Sequence, residues 1–186
     1  MISWRQRGET LIEVLLATTV FGIVAVSVMA IMNRGMIIAE RSLEITLVRH
    51  QIDAQADLMR YIHSRRGHEA GYAQLWRQIT DRAITSSPSQ LGAAACPASL
   101  PSGAFALRTL NPGDAGQVQL TTEYEPAPAH ALVDHATPKS YGIYIHVVRA
   151  EGAQLAYDAY IQACWDGVGG GVQTMGTIAR LYGEAA

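Results

Sequence analysis

The residues with the clearest chemical consequence stand at the N-terminus, where a glycine and two carboxylates precede a long apolar stretch. A peptidase that cuts after Gly8 would leave the new amine on Glu9, four residues before Glu13. Four residues are about one helical turn, or roughly 6 Å along the helix axis. The carboxylate of Glu13 on a neighbouring copy could therefore neutralise this amine. Because both charges are stranded when the stagger is wrong, such pairing would set the axial register of packed helices.

The carboxylate of Glu13 has an alternative role within its own helix. The run Thr10-Leu11-Ile12-Glu13 has the T-x-x-E form of a capping box. In that arrangement Thr10 is the helix cap, and Glu13 bonds back to the amide of the cap residue. The helix dipole also favours a negative charge in the first turn.

The apolar stretch that follows has the length of a membrane span. Nineteen residues from Val14 to Met32 carry no formal charge, and as a helix they would be roughly 28 Å long, close to the hydrocarbon thickness of a bilayer. The buried helix of a soluble protein is the alternative, but such helices are usually shorter. Arg5 and Arg7 favour keeping the N-terminus in the cytoplasm, and Arg34 opposes them weakly.

A secretory signal peptide is the main competing interpretation of this stretch. Its apolar region normally has about 7–15 residues and ends at a small-residue cleavage site. Val28 and Ala30 could form a weak site of that kind, with a product that starts at Ile31. The chain would then be a secreted or membrane-tethered extracellular binding domain. The length of the apolar run and the glutamate at its start argue against this alternative.

The segment "RGETLIEVL" and the apolar helix after it resemble the class III leader of type IV pilins and type II secretion pseudopilins. The resemblance implies that residues 1–8 are a leader, removed after Gly8 by a prepilin peptidase on the cytoplasmic side. Glu9 would then begin the mature chain and carry the N-methyl group, and Glu13 would be the assembly glutamate. It also implies a single-pass inner-membrane protein that joins other pilin or pseudopilin subunits through its N-terminal helix, in a cell-surface filament or a periplasmic pseudopilus.

Two departures from the family pattern indicate a minor subunit rather than the main filament protein. Glu9 stands where the mature chain usually begins with Phe or Met, and its second carboxylate could compete with Glu13 for the amine. Ala30 stands where many pilins carry a helix proline, whereas Gly22 falls where many carry a glycine that loosens the helix.

The chain after the apolar stretch divides at its prolines, all seven of which lie at or after Pro88, so the first part can be helical throughout. An amphipathic helix is predicted over 41–66 and a short second helix over about 69–84. A coiled coil over 41–66 is disfavoured because the heptads are too few. The apolar stripe of the first of these helices, with Gln55 in one slot, consists of Ile45, Val48, Ile52, Met59 and Ile62.

The remainder of the chain, from about residue 104, has the pattern of strands. "AFALRTL" and "QVQLTTEY" flank the turn-rich "NPGDAG", and "YGIYIHVVRA" and "QLAYDAYIQACW" flank a turn at 151–153. These patterns predict two hairpins, and "TIARLY" is a shorter strand candidate. The predicted fold class is therefore α+β, a long N-terminal helix, membrane-spanning in its first half, packed on a small antiparallel β-sheet head. The expected divisions are a leader (1–8), the long helix (9–66) with its membrane segment at about 11–32, and the head (67–186).

The two cysteines, Cys96 and Cys164, both fall outside the membrane on this topology. An oxidising compartment would allow them to pair. Sixty-seven residues lie between them, and chain entropy predicts about 4 kcal/mol of stabilisation for closing such a loop. Two free, buried thiols are the alternative.

No catalytic or cofactor-binding pattern is present in the sequence. It has no GxSxG, P-loop or HExxH motif, so we expect neither an enzyme nor a cofactor. His130, Asp134 and His135 form the densest group of metal-type ligands, but they lie in a proline-bounded loop and we expect no metal site. The head, 67–186, carries six basic and ten acidic residues, which disfavours nucleic-acid binding through it.

Overall fold

The computed structural model of the chain describes residues 6–85, 95–110, 117–150 and 156–183, with side chains from residue 10 onward. The α+β class is confirmed, because a long N-terminal helix and a set of strands make up the described residues. The chain divides into two compact units, which are described separately below: Met1–Ser42 and Leu43–Ala186.

Two helices lie in the described part of the chain. Helix α1 is Gln6–Arg65 and helix α2 is Ala70–Thr80. Helix α2 ends earlier than predicted because the chain turns after Thr80, and Ile84 then forms a parallel bridge with Val148.

Eight strands follow α2 in the ranges that the structure describes. In chain order they are β1 (Ala106–Thr109), β2 (Val118–Thr121), β3 (Glu123–Glu125), β4 (Leu132–Val133), β5 (Lys139–Tyr141), β6 (Ile143–Ala150), β7 (Ala156–Asp166) and β8 (Val172–Tyr182). They form three small sheets, with orders β1-β2, β3-β5-β4 and β6-β7-β8. The largest sheet is antiparallel, but β3 pairs with β5 in parallel. The head is therefore not a single antiparallel sheet.

Both predicted hairpins pair as expected, β1 with β2 and β6 with β7. Their turns, at 111–116 and 151–153, lie outside the described residues. The predicted strand "QVQLTTEY" is two strands, because the Thr121 hydroxyl accepts a hydrogen bond from the Glu123 amide and turns the chain between them. The short candidate "TIARLY" is the end of the longer strand β8.

The core of the second unit lies between the C-terminal part of α1 and the sheet β6-β7-β8. The helix buries one stripe at three- and four-residue steps, as an amphipathic helix should. The stripe consists of Val48, Ile52, Ala56, Met59 and Ile62. The odd-numbered positions of the strands belong to the same core, namely Ile143, Ile145 and Val147 of β6, Ala159 and Ile161 of β7, and Ala179 and Leu181 of β8.

Helix α2 closes one end of this core through aromatic contacts. The Trp76 side chain is 1% exposed, and its ring meets that of Tyr157 edge-on at a centroid distance of 5.6 Å. The ring of His63 lies 5.0 Å from the Trp76 ring. Burial, with Arg66 nearby, lowers the pKa of His63 below its usual value, so the ring favours its neutral form against the indole.

Gln55 occupies the polar slot in the apolar stripe of α1 and is 1% exposed. Its Nε2 donates to the Leu107 carbonyl oxygen at 2.7 Å, and its Oε1 accepts from the Leu107 amide at 2.8 Å. The side chain thus satisfies both main-chain groups of one residue of β1. A glutamine stands among the apolar residues because β1 needs a donor and an acceptor at this point.

The disulfide between Cys96 and Cys164 is present, with the two Cα atoms 5.4 Å apart. It ties the segment before β1 to strand β7. The neighbouring Gly142 has φ +70°, and a Cβ there would collide with the carbonyl oxygen of Cys164. The chain can enter β6 beside the disulfide only because this position is glycine.

Replacement of Gln55 tests the polar link between α1 and β1. The change Gln55→Leu keeps the volume but leaves the amide and carbonyl of Leu107 buried without partners. We expect the free energy of unfolding to fall by about 2–4 kcal/mol. Urea denaturation of the full chain in detergent, followed by tryptophan fluorescence, measures the change. The matched control Gln78→Leu, at an exposed position of α2, should stay within about 0.5 kcal/mol of the wild type, and equal losses for both variants would contradict this account.

Candidate functional site: the N-terminal helix

The predicted cleavage site lies within the helical backbone of the uncleaved chain. Helix α1 begins at Gln6, so Gly8 and Glu9 are already helical in the precursor. Thr10 therefore lies inside α1 in the full-length chain. It can cap the helix only once the preceding residues are removed, and in that form the capping box stays a proposal.

Glu13 is exposed on the surface of α1, one turn after Glu9. The large apolar side chains beside it, Leu11, Ile12 and Val14, are also exposed, at 60–68%. Where lipid or protein covers this apolar surface, the carboxylate loses its water, and pairing with a cation then lowers its free energy.

The helix after Glu13 exposes apolar side chains around its whole circumference. Its most apolar 18-residue window has a mean hydropathy of 2.5, and none of that window is buried. By length and composition, one helix of the described residues can cross a membrane. The exposed large apolar side chains from Leu15 to Met32 are Leu15, Leu16, Val20, Phe21, Ile23, Val24, Val26, Val28, Met29, Ile31 and Met32.

The polar side chains of this stretch bond to their own helix. The hydroxyl of Thr18 donates to the carbonyls of Val14 and Leu15, each at 3.0 Å. The hydroxyls of Thr19 and Ser27 donate to the carbonyls three and four residues earlier. Because these donors are satisfied within the helix, no hydroxyl hydrogen is left without a partner in an apolar environment.

The helix continues through Gly22, which agrees with the family pattern, and through Ala30, which departs from it. Gly22 has no atom within 4 Å of where a Cβ would stand, and α1 is unbroken at this residue and at Ala30. The weak signal-peptidase site at Ala30–Ile31 therefore lies in the middle of a helix.

Glu44 is a buried carboxylate of α1 that the sequence analysis missed. It is 7% exposed, and its Oε2 accepts hydrogen bonds from the Trp165 indole at 3.4 Å and the Val168 amide at 3.3 Å. It thereby holds the glycine-rich loop after β7 against the helix. Glu44 lies four residues before Val48 and therefore on the same face of the helix as the apolar stripe. This spacing could have predicted its burial from the sequence.

The histidines of the loop between β3 and β5 do not converge on one point. Asp134 accepts hydrogen bonds from the Ala136 amide and the Thr137 hydroxyl, and these bonds lower the pKa of its carboxyl. The Nδ1 of His135 accepts from the amide of Thr109 at 3.3 Å. Within the ranges that the structure describes, no group of three or more His, Cys, Asp or Glu side chains could hold a metal ion.

The comparison with family models agrees with the resemblance of the N-terminal segment. Residues 5–29 match the model of the prokaryotic N-terminal methylation motif, which is the class III leader of type IV pilins. The match ends within the apolar helix and does not include the head. No curated protein matches the chain, and no solved structure does.

A charge in the middle of the apolar stretch tests its role as a membrane span. The change Ile23→Asp places a carboxylate near the centre of a span, at a cost of about 2.5–3.5 kcal/mol. We expect the fraction of chain that resists extraction from membranes at alkaline pH to fall about tenfold or more. The matched control Leu43→Asp changes an exposed apolar residue of the same helix beyond the uncharged stretch, and it should extract like the wild type. If Ile23→Asp stayed in the membrane to the same extent as the wild type, the apolar stretch would not be a membrane span.

Proposed function

We propose that the chain is a structural subunit, a minor pilin or pseudopilin, of a type IV pilus or a type II secretion-like filament. The observation that supports this proposal is that the methylation motif, residues 5–29, runs into an exposed apolar helix long enough to cross a membrane. A helix that is apolar on all sides needs lipid or other helices around it. In the proposed scheme lipid surrounds the helix before assembly, and the helices of neighbouring subunits surround it in the filament core afterwards.

Processing is the first step of the proposed assembly. A prepilin peptidase cuts after Gly8 on the cytoplasmic side of the inner membrane, and the new N-terminus at Glu9 is methylated. The protein is then held as a single-pass membrane protein, with its head on the far side. In this scheme the chain is the substrate of an enzyme and has no catalytic role of its own.

Extraction from the membrane replaces lipid by the helices of neighbouring subunits. Lipid tails are as apolar as these side chains, so the hydrophobic effect does not drive this exchange. Packing and polar pairs must drive it instead. The carboxylate of Glu13 and the amine of Glu9 on a neighbouring subunit form the polar pair in this scheme, and their attraction selects one axial stagger.

The role of a minor subunit follows from the charge at the first mature residue. Glu9 brings a second carboxylate beside the amine, so a neighbour's Glu13 meets a site that is already partly neutralised. A shaft made only of such copies would pair its termini weakly. A filament in which this chain is a minority among subunits without this carboxylate fits the sequence better than a shaft made only of this chain.

The mature N-terminus is the first test of the proposal. We expect mass spectrometry of the chain from a host with pili to find a start at Glu9 carrying one added methyl group. The change Gly8→Val should leave the leader in place, because the resemblance makes glycine the last leader residue. The control Gly35→Val, at an open position of the same helix, should be processed normally. A start at Ile31 would instead support the secreted binding domain, and an uncut precursor in that host would exclude both.

Two substitutions of Glu13 separate its charge from its capping role. Glutamine can complete a capping box as well as glutamate, but it cannot neutralise an amine. If charge pairing sets the register, Glu13→Gln and Glu13→Ala should both lower incorporation into filaments about tenfold or more, with membrane insertion unchanged. Quantitative blotting of sheared filaments measures this. The control Glu40→Gln lies on the same helix after the apolar stretch, and normal incorporation of Glu13→Gln would leave capping as a sufficient role.

A further inference from the structure

The face of the sheet β6-β7-β8 that points away from α1 contains a small cavity between β7 and β8. Its volume is about 320 Å³, and its lining side chains include Tyr160, Gln162 and Ile178. On this face Gln162 pairs across the strands with Tyr144 on one side and Gly176 on the other. Because Gly176 has no side chain, the cavity opens above the edge strand beside Gln162.

The carboxamide of Gln162 has no hydrogen-bond partner among the residues that the structure describes. The residue is 3% exposed, and both its Oε1 and its Nε2 are buried and unpaired. Buried polar groups are nearly always paired in native proteins, and an unpaired one needs an explanation. Gln55 shows how this chain otherwise treats a buried glutamine, with both atoms bonded to main-chain groups.

The chemistry of the cavity selects a neutral ligand that both donates and accepts. No residue that lines it is charged, so an ionic group would be desolvated there without a counter-charge. The nearest ion pair on this face, Asp158 with Arg180, is already bidentate at 2.7 Å for both bonds. Another carboxamide matches Gln162 best, since it can donate to Oε1 and accept from Nε2 at once.

Strand β8 supplies the second half of a binding surface. It is an edge strand, since β7 is the only strand paired with it in the described part of the chain. Alternate residues of β8 direct their main-chain donors and acceptors to the side away from β7, and at the end of the strand the main chain of Tyr182 is hydrogen-bonded to the His63 side chain. The side chains of Ile178 and Tyr182, on the face that carries the cavity, are 53% and 60% exposed. Free strand edges of this kind bind extended peptides by adding a strand to the sheet.

We propose that the free edge of β8 binds an extended segment of a partner protein, and that an Asn or Gln side chain of this segment pairs with Gln162. A residue opposite Gly176 on the added strand would lie about 5 Å from β8, and its side chain would cross the bare glycine to reach the cavity. Entry of the amide requires the half-exposed Ile178 side chain to turn aside. This inference concerns the head alone and does not depend on the proposed function.

Binding of designed peptides to the full chain in detergent micelles tests the proposal. The probe is a capped peptide of alternating Thr and Val with one central Gln, and the matched probes carry Leu or Glu there. ¹⁵N NMR follows the Gln162 carboxamide, identified by its loss in Gln162→Met, together with the amides of β8. We expect the Gln peptide to shift both sets of signals and to bind about tenfold more tightly than the Leu or Glu peptide.

Variants of the head complete the test. Gln162→Met should remove the preference for the Gln peptide, and Gly176→Val should weaken binding by blocking the path to the cavity. Thr174→Val changes an exposed residue on the same face of β8 and should bind like the wild type. An unchanged spectrum elsewhere verifies the fold of each variant, and Gln162→Met decides the matter alone if Gly176→Val does not fold. The proposal is overturned if no peptide binds, if the Leu peptide binds equally well, or if Gln162→Met keeps the preference.

Discussion

The exposure of about twenty apolar side chains on one continuous helix is the constraint on which the rest of the protein depends. The helix satisfies its own main-chain groups, and the hydroxyls of Thr18, Thr19 and Ser27 bond back to it. Nothing in this stretch therefore requires water, and its side chains are unfavourable there. Such a helix is stable in lipid or among other helices, and its first part belongs to the segment that matches the N-terminal methylation motif.

The second unit depends on polar groups placed within an apolar helix stripe. Gln55 bonds both main-chain groups of Leu107, and Glu44 holds the indole of Trp165 and the amide of Val168. Apolar packing alone tolerates small slips between a helix and a sheet, whereas these bonds fix the position along the helix axis. The same stripe thus supplies the burial energy and the register of the head.

The two faces of the sheet β6-β7-β8 differ in composition. The face toward α1 is a packed apolar core. The opposite face holds the disulfide sulfur of Cys164, the ion pair of Asp158 with Arg180, and the unpaired amide of Gln162. The unpaired amide of Gln162 and the strand edge of β8 beside it give this second face the physical character of an interaction surface.

The sequence alone determined the features that depend on local pattern. Gly8, Glu13 and the charge-free stretch follow one another closely in the chain, so their spacing is visible without any tertiary contact. The helix stripe and the hairpin pairing of β6 with β7 are likewise periodic signals. The cysteine pair was predictable from compartment and count, though not its geometry.

Only the tertiary structure decided which polar residues act together. Glu44 and Val168 lie 124 residues apart, and Gln55 and Leu107 lie 52 apart, so no local pattern links them. The length of β8 was missed because Gly176 and exposed polar residues interrupt its alternation, and pairing with β7 overrides that weak propensity. The sequence could not show that the amide of Gln162 is buried and unpaired, or that Gly176 lies opposite it on β8. Burial depends on neighbours in space and not on neighbours in sequence.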